Sequence, residues 1–139
     1  AQYGWLRTPH LQFVCANALE YPLPESDAFI LNDILHYMNY EHQRTLLLRC
    51  MEQLRPEGKL IVRDGNAANT RKHRLTRFTE LLSTGIFSFN KTTEQLCFTS
   101  EAQIRSIAQE GGMQLEILPN DRYTSNTIYI FQKNKPEHE

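Results

Sequence analysis

The chain has 139 residues, 40% hydrophobic and 10% aromatic, and its 15 Lys plus Arg against 16 Asp plus Glu leave a net charge of −1. This is one domain's worth of chain with enough apolar material for a core, and its composition is ordinary for a soluble globular protein. The balanced charge supplies no global field toward nucleic acid, which favours a small-molecule or protein partner, and no apolar run approaches the ~20 residues of a membrane span.

Cys15, Cys50 and Cys97 are odd in number and widely spaced, with no CxxC pair. They are expected to be reduced thiols, without a disulfide framework or a zinc cluster. With no signal-peptide pattern, the expected location is cytoplasmic. The chain begins at Ala1 rather than Met, and it is expected to be processed or cut from something longer.

In chain order, Ala1–Arg7 resembles the last turns of a helix stopped by Thr8-Pro9. Leu11–Cys15 is β-rich and loosely alternating, which predicts a strand. After a loop holding Pro22 and Pro24, Ser26–Leu31 predicts a strand buried on both faces. Asn39 is placed to cap a helix from about Tyr40 to Leu54, with Leu47, Cys50, Met51 and Leu54 on one face. Arg55-Pro56-Glu57-Gly58 is a predicted turn and Lys59–Arg63 a short buried strand.

Thr70 then caps a predicted second helix to about Ser83, with Leu75, Phe78, Leu81 and Leu82 as its stripe. Gly85–Phe98 is irregular and is expected to be a loop or lid. Ser100-Glu101-Ala102-Gln103 is a capping box for a helix that turns Ile104, Ile107 and Ala108 inward and ends at Gly111-Gly112. Met113–Leu118 and Thr127–Gln132 predict a closing antiparallel pair, and residues 133–139 a frayed charged tail. The alternation specifies a single α/β domain: a mostly parallel, Rossmann-like sheet with helices on both faces and an antiparallel C-terminal strand pair.

Ligands of open α/β sheets collect beyond the carboxyl ends of the strands. Asn32, Asp33 and His36 follow one such end, and Asp64, Gly65 and Asn66 follow the next. Asp-Gly-Asn is also strong turn chemistry, so Asp64 and Asn66 carry a turn reading, with a place on the substrate side of the crevice as the alternative. Arg71, Lys72, His73, Arg74 and Arg77 form either a solvated face or a site for an acidic substrate group. Phe87, Phe89 and Phe98 either roof an apolar substrate or pack the lid. Cys50 is expected to be structural, and the spacing of His36 and His42 does not place them on one helix face, so no metal site is expected.

The succession Asp27–Met38, a Leu-rich helix, Leu54-Arg55-Pro56-Glu57-Gly58-Lys59-Leu60 and a closing strand pair resembles the C-terminal half of class I S-adenosylmethionine-dependent methyltransferases. Asp33-Ile34-Leu35-His36 is similar to the family's D-V-L-H segment. Residues 54–60 are similar to its L-K-P-G-G-x-L turn, with Glu57 in place of the first Gly. Ala16-Asn17-Ala18 stands where the family has G-D-A, so Asn replaces the Asp that bonds the adenine amino group. An Asn carbonyl can accept from that group less strongly than a carboxylate.

The resemblance spans about Leu11 to Lys133 and implies S-adenosyl-L-methionine as cofactor, with Asn17, Ala18 and Asn32 on its side of the pocket. It implies methyl transfer to a small molecule, with His36 as general base or, alternatively, as a locally bonded helix-start histidine. Asp33 would orient His36 or cap the following turn, and Asp64, Asn66, Arg71 and Phe87 would face the substrate. The six glycines include no GxG, so the family's Gly-rich loop and its first two strands have no counterpart. The resemblance therefore implies a domain truncated at its N-terminus and inactive alone. Asp27–Leu31 would become an open sheet edge that invites a homodimer or a rearranged residue 1–20 segment. The alternative is a non-catalytic α/β domain that associates through that edge. An oxidoreductase reading is weaker, because nothing resembles GxGxxG.

Overall fold

A computed structural model describes residues 10–65, 97–118 and 126–133. The expected helices at 1–7 and 70–83, most of the lid, and Asn66, Arg71 and Phe87 lie outside the described residues.

Strand β1 (Ser26–Asn32) leads through a single 3₁₀ turn (Leu35–Tyr37) into helix α1 (Tyr40–Glu52). Asn39 starts α1 as its sequence implies, its side chain accepting from the His42 N–H at 2.9 Å. One stripe of the helix is buried: Gln43, Leu46, Leu47, Cys50 and Met51. The helix stops at Glu52, two residues short of expectation, because Leu54 already pairs with Ser26 as the first residue of β2 (Leu54–Gly65).

The turn expected at Arg55–Gly58 is absorbed into β2 as an irregularity. Leu54 pairs with Ser26, yet Ala28 pairs with Lys59, so five residues of β2 span two of β1. Gly58 is required there: a Cβ on it would stand 2.9 Å from both the Asp27 carbonyl oxygen and a Leu54 methyl, closer than packed atoms allow.

Helix α2 (Glu101–Glu110) carries the complete capping box, Ser100 accepting from the Gln103 N–H and Gln103 reaching back to the Ser100 N–H. Gly112 turns the chain at φ +65° into β3 (Met113–Leu118), and β4 (Asn126–Lys133) closes the sheet. The strand order is β1-β2-β4-β3. β1 and β2 are parallel, as a helical crossover requires, and β4 runs antiparallel to both β2 and β3. The fold class is thus α/β with an antiparallel C-terminal pair.

Register aligns one sheet face across the strands: Leu31 beside Val62, Val62 beside Tyr129, Tyr129 beside Ile117. Leu60, Val62, Tyr129 and Phe131 on this face join Leu46, Leu47, Cys50 and Met51 of α1 and Ile104, Ile107 and Ala108 of α2 in one buried cluster. Both described helices therefore cover the same face. On the other, Ile30 of β1, the edge strand among the described residues, is 70% exposed. The exposed ion pair between Arg44 and Glu110 links α1 to α2 across the rim.

Leu11–Cys15 is not a strand, contrary to its β propensity. Leu11, Phe13 and Val14 are exposed, and among the described residues no strand stands on the open side of β1 to offer a ladder. Propensity for a pleated surface has no effect without a surface to join.

Candidate active site

The carboxyl ends of the two parallel strands, β1 and β2, meet at the 3₁₀ turn. Asp64, the penultimate residue of β2, points into the turn and accepts from four donors. Its Oδ2 receives the Leu35 N–H at 2.7 Å and the His36 N–H at 3.3 Å. Its Oδ1 receives His36 Nδ1 at 2.6 Å and the Gly65 N–H at 2.7 Å. His36 and Asp64 are both buried, 5% and 3% exposed. Burial by itself would push the Asp64 carboxyl up; the hydrogen bond and charge interaction with His36, joined by the N–H groups of Gly65 and Leu35, outweigh it and hold the carboxyl below the usual value. An ionised carboxylate only accepts, so Nδ1 of His36 is the donor in this bond.

The ring of His36 is fixed on its faces as well. Phe98 stacks on it at 5.7 Å between centroids and Tyr37 leans against it at 4.2 Å. The Cys97 N–H donates to the His36 carbonyl at 3.1 Å. Phe98, expected either to roof an apolar substrate or to pack the lid, lies against the strongest candidate base.

Asp33 does something other than orient His36 or cap the turn. It stands at φ +54°, and the turn begins at Ile34 with no side-chain cap. Its Oδ2 accepts from Arg63 at 2.5 Å, and Arg63 also reaches Asn32 Oδ1 at 3.2 Å. The other oxygen, Oδ1, is buried without a hydrogen-bond partner. The exposed end of β1 therefore presents Asn32, Asp33 and Arg63 as one polar group.

Asn17 organises a turn on a third side. Its Oδ1 accepts from the Leu19 N–H at 3.1 Å, its amide donates to Glu20, and its carbonyl takes the Glu20 and Tyr21 N–H groups. Arg49 of α1 pins this turn by donating to the carbonyls of Ala18, Leu19 and Tyr21 at 2.8, 2.5 and 2.6 Å.

Gln43, Arg49, Arg63 and Thr99 were not evident as site residues in the sequence. For Gln43 a signal existed: stepping back four positions from Leu47, and seven from Cys50, puts it on the apolar stripe of α1, where a polar residue needs partners. The others are recognisable only in three dimensions.

Residues 4–114 match the family model of an O-methyltransferase domain. No curated protein matches the chain. Among solved structures, an O-methyltransferase family protein from Burkholderia thailandensis superposes with TM-score 0.65 at 18% identity, covering 91% of this chain and 36% of that one. Human N-acetylserotonin methyltransferase, solved with S-adenosylmethionine, gives 0.62 at 17%, with 91% and 36% covered. A calicheamicin-biosynthesis methyltransferase, solved with S-adenosylhomocysteine, gives 0.61 at 15%, with 87% and 34% covered. The chain spans about a third of the length of these structures. The domain match covers most of the sequence, and the chain belongs to the O-methyltransferase domain family.

Proposed function

We propose that the protein containing this chain transfers the methyl group of S-adenosyl-L-methionine to the hydroxyl of a small molecule, with His36 as general base. The observation that carries this reading is the buried Asp64–His36 hydrogen bond at the carboxyl ends of two parallel strands. S-adenosylmethionine supplies an already electrophilic methyl carbon, so the protein's task is to align the acceptor and remove its proton. Asp64 fixes the tautomer and the ring, and Nε2 takes the proton. Asp33, named from sequence alongside His36, acts instead on the cofactor side with Asn32.

The residues present fit part of a cofactor site. The partnerless Asp33 Oδ1 and the exposed Asn32 are acceptors for polar groups at the end of β1. In the 17–21 turn, Asn17 Oδ1 keeps a second lone pair for an adenine amino group, and Ala18 offers its N–H while Arg49 holds its carbonyl. Asn66, Arg71 and Phe87 are proposed to face the acceptor. A sequence without a GxG loop supplies only part of such a pocket, so residues 1–139 by themselves bind S-adenosylmethionine weakly and are inactive. Calorimetry on these residues tests this, and tight binding would overturn it. In the longer protein, His36→Ala should lower kcat/KM roughly 10²- to 10⁴-fold; unchanged activity would remove His36 as base.

A second reading rests on the edge position of β1 and the exposure of Ile30: the chain self-associates by pairing β1 edges. Light scattering with Ile30→Lys distinguishes it, since the dimer predicted for the native sequence should dissociate.

A further inference from the structure

We infer that Gln43, on helix α1, is a positioning residue that sets where His36 stands; the inference rests on the reading of His36 as base. Gln43 is 1% exposed, and its side chain is the meeting point of three segments. Its amide nitrogen donates to the carbonyls of Leu35 at 2.9 Å, Met38 at 3.0 Å and Cys97 at 2.8 Å. Its Oε1 accepts from the Thr99 hydroxyl at 2.6 Å. Two hydrogens serve three carbonyl oxygens while the Thr99 hydroxyl donor meets the oxygen end. The reverse orientation would set Oε1 against three oxygens, so the amide has one tolerable orientation.

The three carbonyls bracket His36. Leu35 precedes it and Met38 closes its 3₁₀ turn. Cys97, whose own N–H binds the His36 carbonyl, adjoins the Phe98 ring stacked on the imidazole. Asp64 therefore holds the turn by its N–H groups and the ring by Nδ1, while Gln43 holds the same turn by its carbonyls. Asp64 thus restrains the turn through its N–H groups and Gln43 through its carbonyls, so the position of the turn is set from both. For Nε2 the consequence is a fixed position relative to an acceptor oxygen, and misplacement of about 1 Å can lower the rate about a hundredfold.

The effect of Gln43 passes through His36, and a double-variant comparison in the full-length protein tests this. Gln43→Met keeps the length and apolar bulk and removes every hydrogen bond. It should lower kcat roughly tenfold to a hundredfold while leaving the dissociation constant for S-adenosylmethionine unchanged. In a His36→Ala background it should cause no further loss. Retained kcat in Gln43→Met, or an equal loss with and without His36, overturns the inference. Full activity in His36→Ala alone would instead remove the base reading on which it rests. Should Gln43→Met not fold, Thr99→Val carries the comparison: it frees only the oxygen end of the amide, and the same dependence on His36 is expected.

Discussion

Asp64 holds His36 twice, at the ring through Nδ1 and at the backbone through the N–H, across a sequence separation of 28. The two grips use different oxygens, and each oxygen also accepts a further backbone N–H, from Leu35 and from Gly65. Asp64→Asn offers one accepting oxygen where donors approach two, so an amide N–H must face either the ring or the turn. We expect a stability loss on the order of 3 kcal/mol, read by denaturant unfolding of residues 1–139. A loss below about 1 kcal/mol would mean that the four bonds do not act together.

The acid limb of stability follows from the same carboxylate. Its folded value lies below the usual one, so the unfolded chain binds the proton first as pH falls. The stabilisation is complete above the ordinary aspartate value of about 3.9 and is lost as pH falls through the folded value. A denaturation series from neutral to acid pH should show the native protein losing stability in this window more steeply than Asp64→Asn. Parallel curves would sink the assignment.

Local chemistry made much of the frame legible. The Asn39 cap, the Ser100 box and the inward Ile104, Ile107 and Ala108 each depend on neighbours within one or two turns, and the structure contains them all. Asp64 appeared as turn chemistry with a possible pocket role, because the partner that defines it lies on another strand end. Gln43 was hidden for a similar reason: a glutamine on a helix is normally solvated, and only the carbonyls of two other segments account for its burial. Leu11–Cys15 shows the opposite failure, a strong local preference with no neighbour to realise it.

At Asp33 the backbone sits in the left-handed region, which Asn and Gly tolerate and β-branched residues do not. Asp33→Val should destabilise by about 1–3 kcal/mol. Asp33→Asn, which keeps the conformation and an acceptor for Arg63, should cost less than about 1 kcal/mol. Thermal unfolding of the two variants checks the order, and equal losses would place the cost in the Arg63 pairing instead.

The thiols should differ in reactivity. Burial pushes the Cys50 thiol up to about 11, the nearby Arg49 charge opposing it only in part, whereas Cys15 is exposed. Iodoacetamide at mildly alkaline pH should alkylate Cys15 in the native protein and spare Cys50 until denaturant is added, as mass spectrometry of the peptides would show. Native labelling of Cys50 would contradict its place in the core.

The place of β4 between β2 and β3 bears on how the chain is made. The last described strand to leave the ribosome is an interior one, so β2 keeps one bare side, and β3 has no partner among the described strands, until residues 126–133 emerge. Helix α1 and the β1–β2 pair can form early, but the described sheet that anchors Asp64 cannot close before residues 126–133 have been made. Such distant pairings are slow to form, and a nascent chain stalled before Asn126 would leave uncovered the edges of β2 and β3 that β4 pairs with.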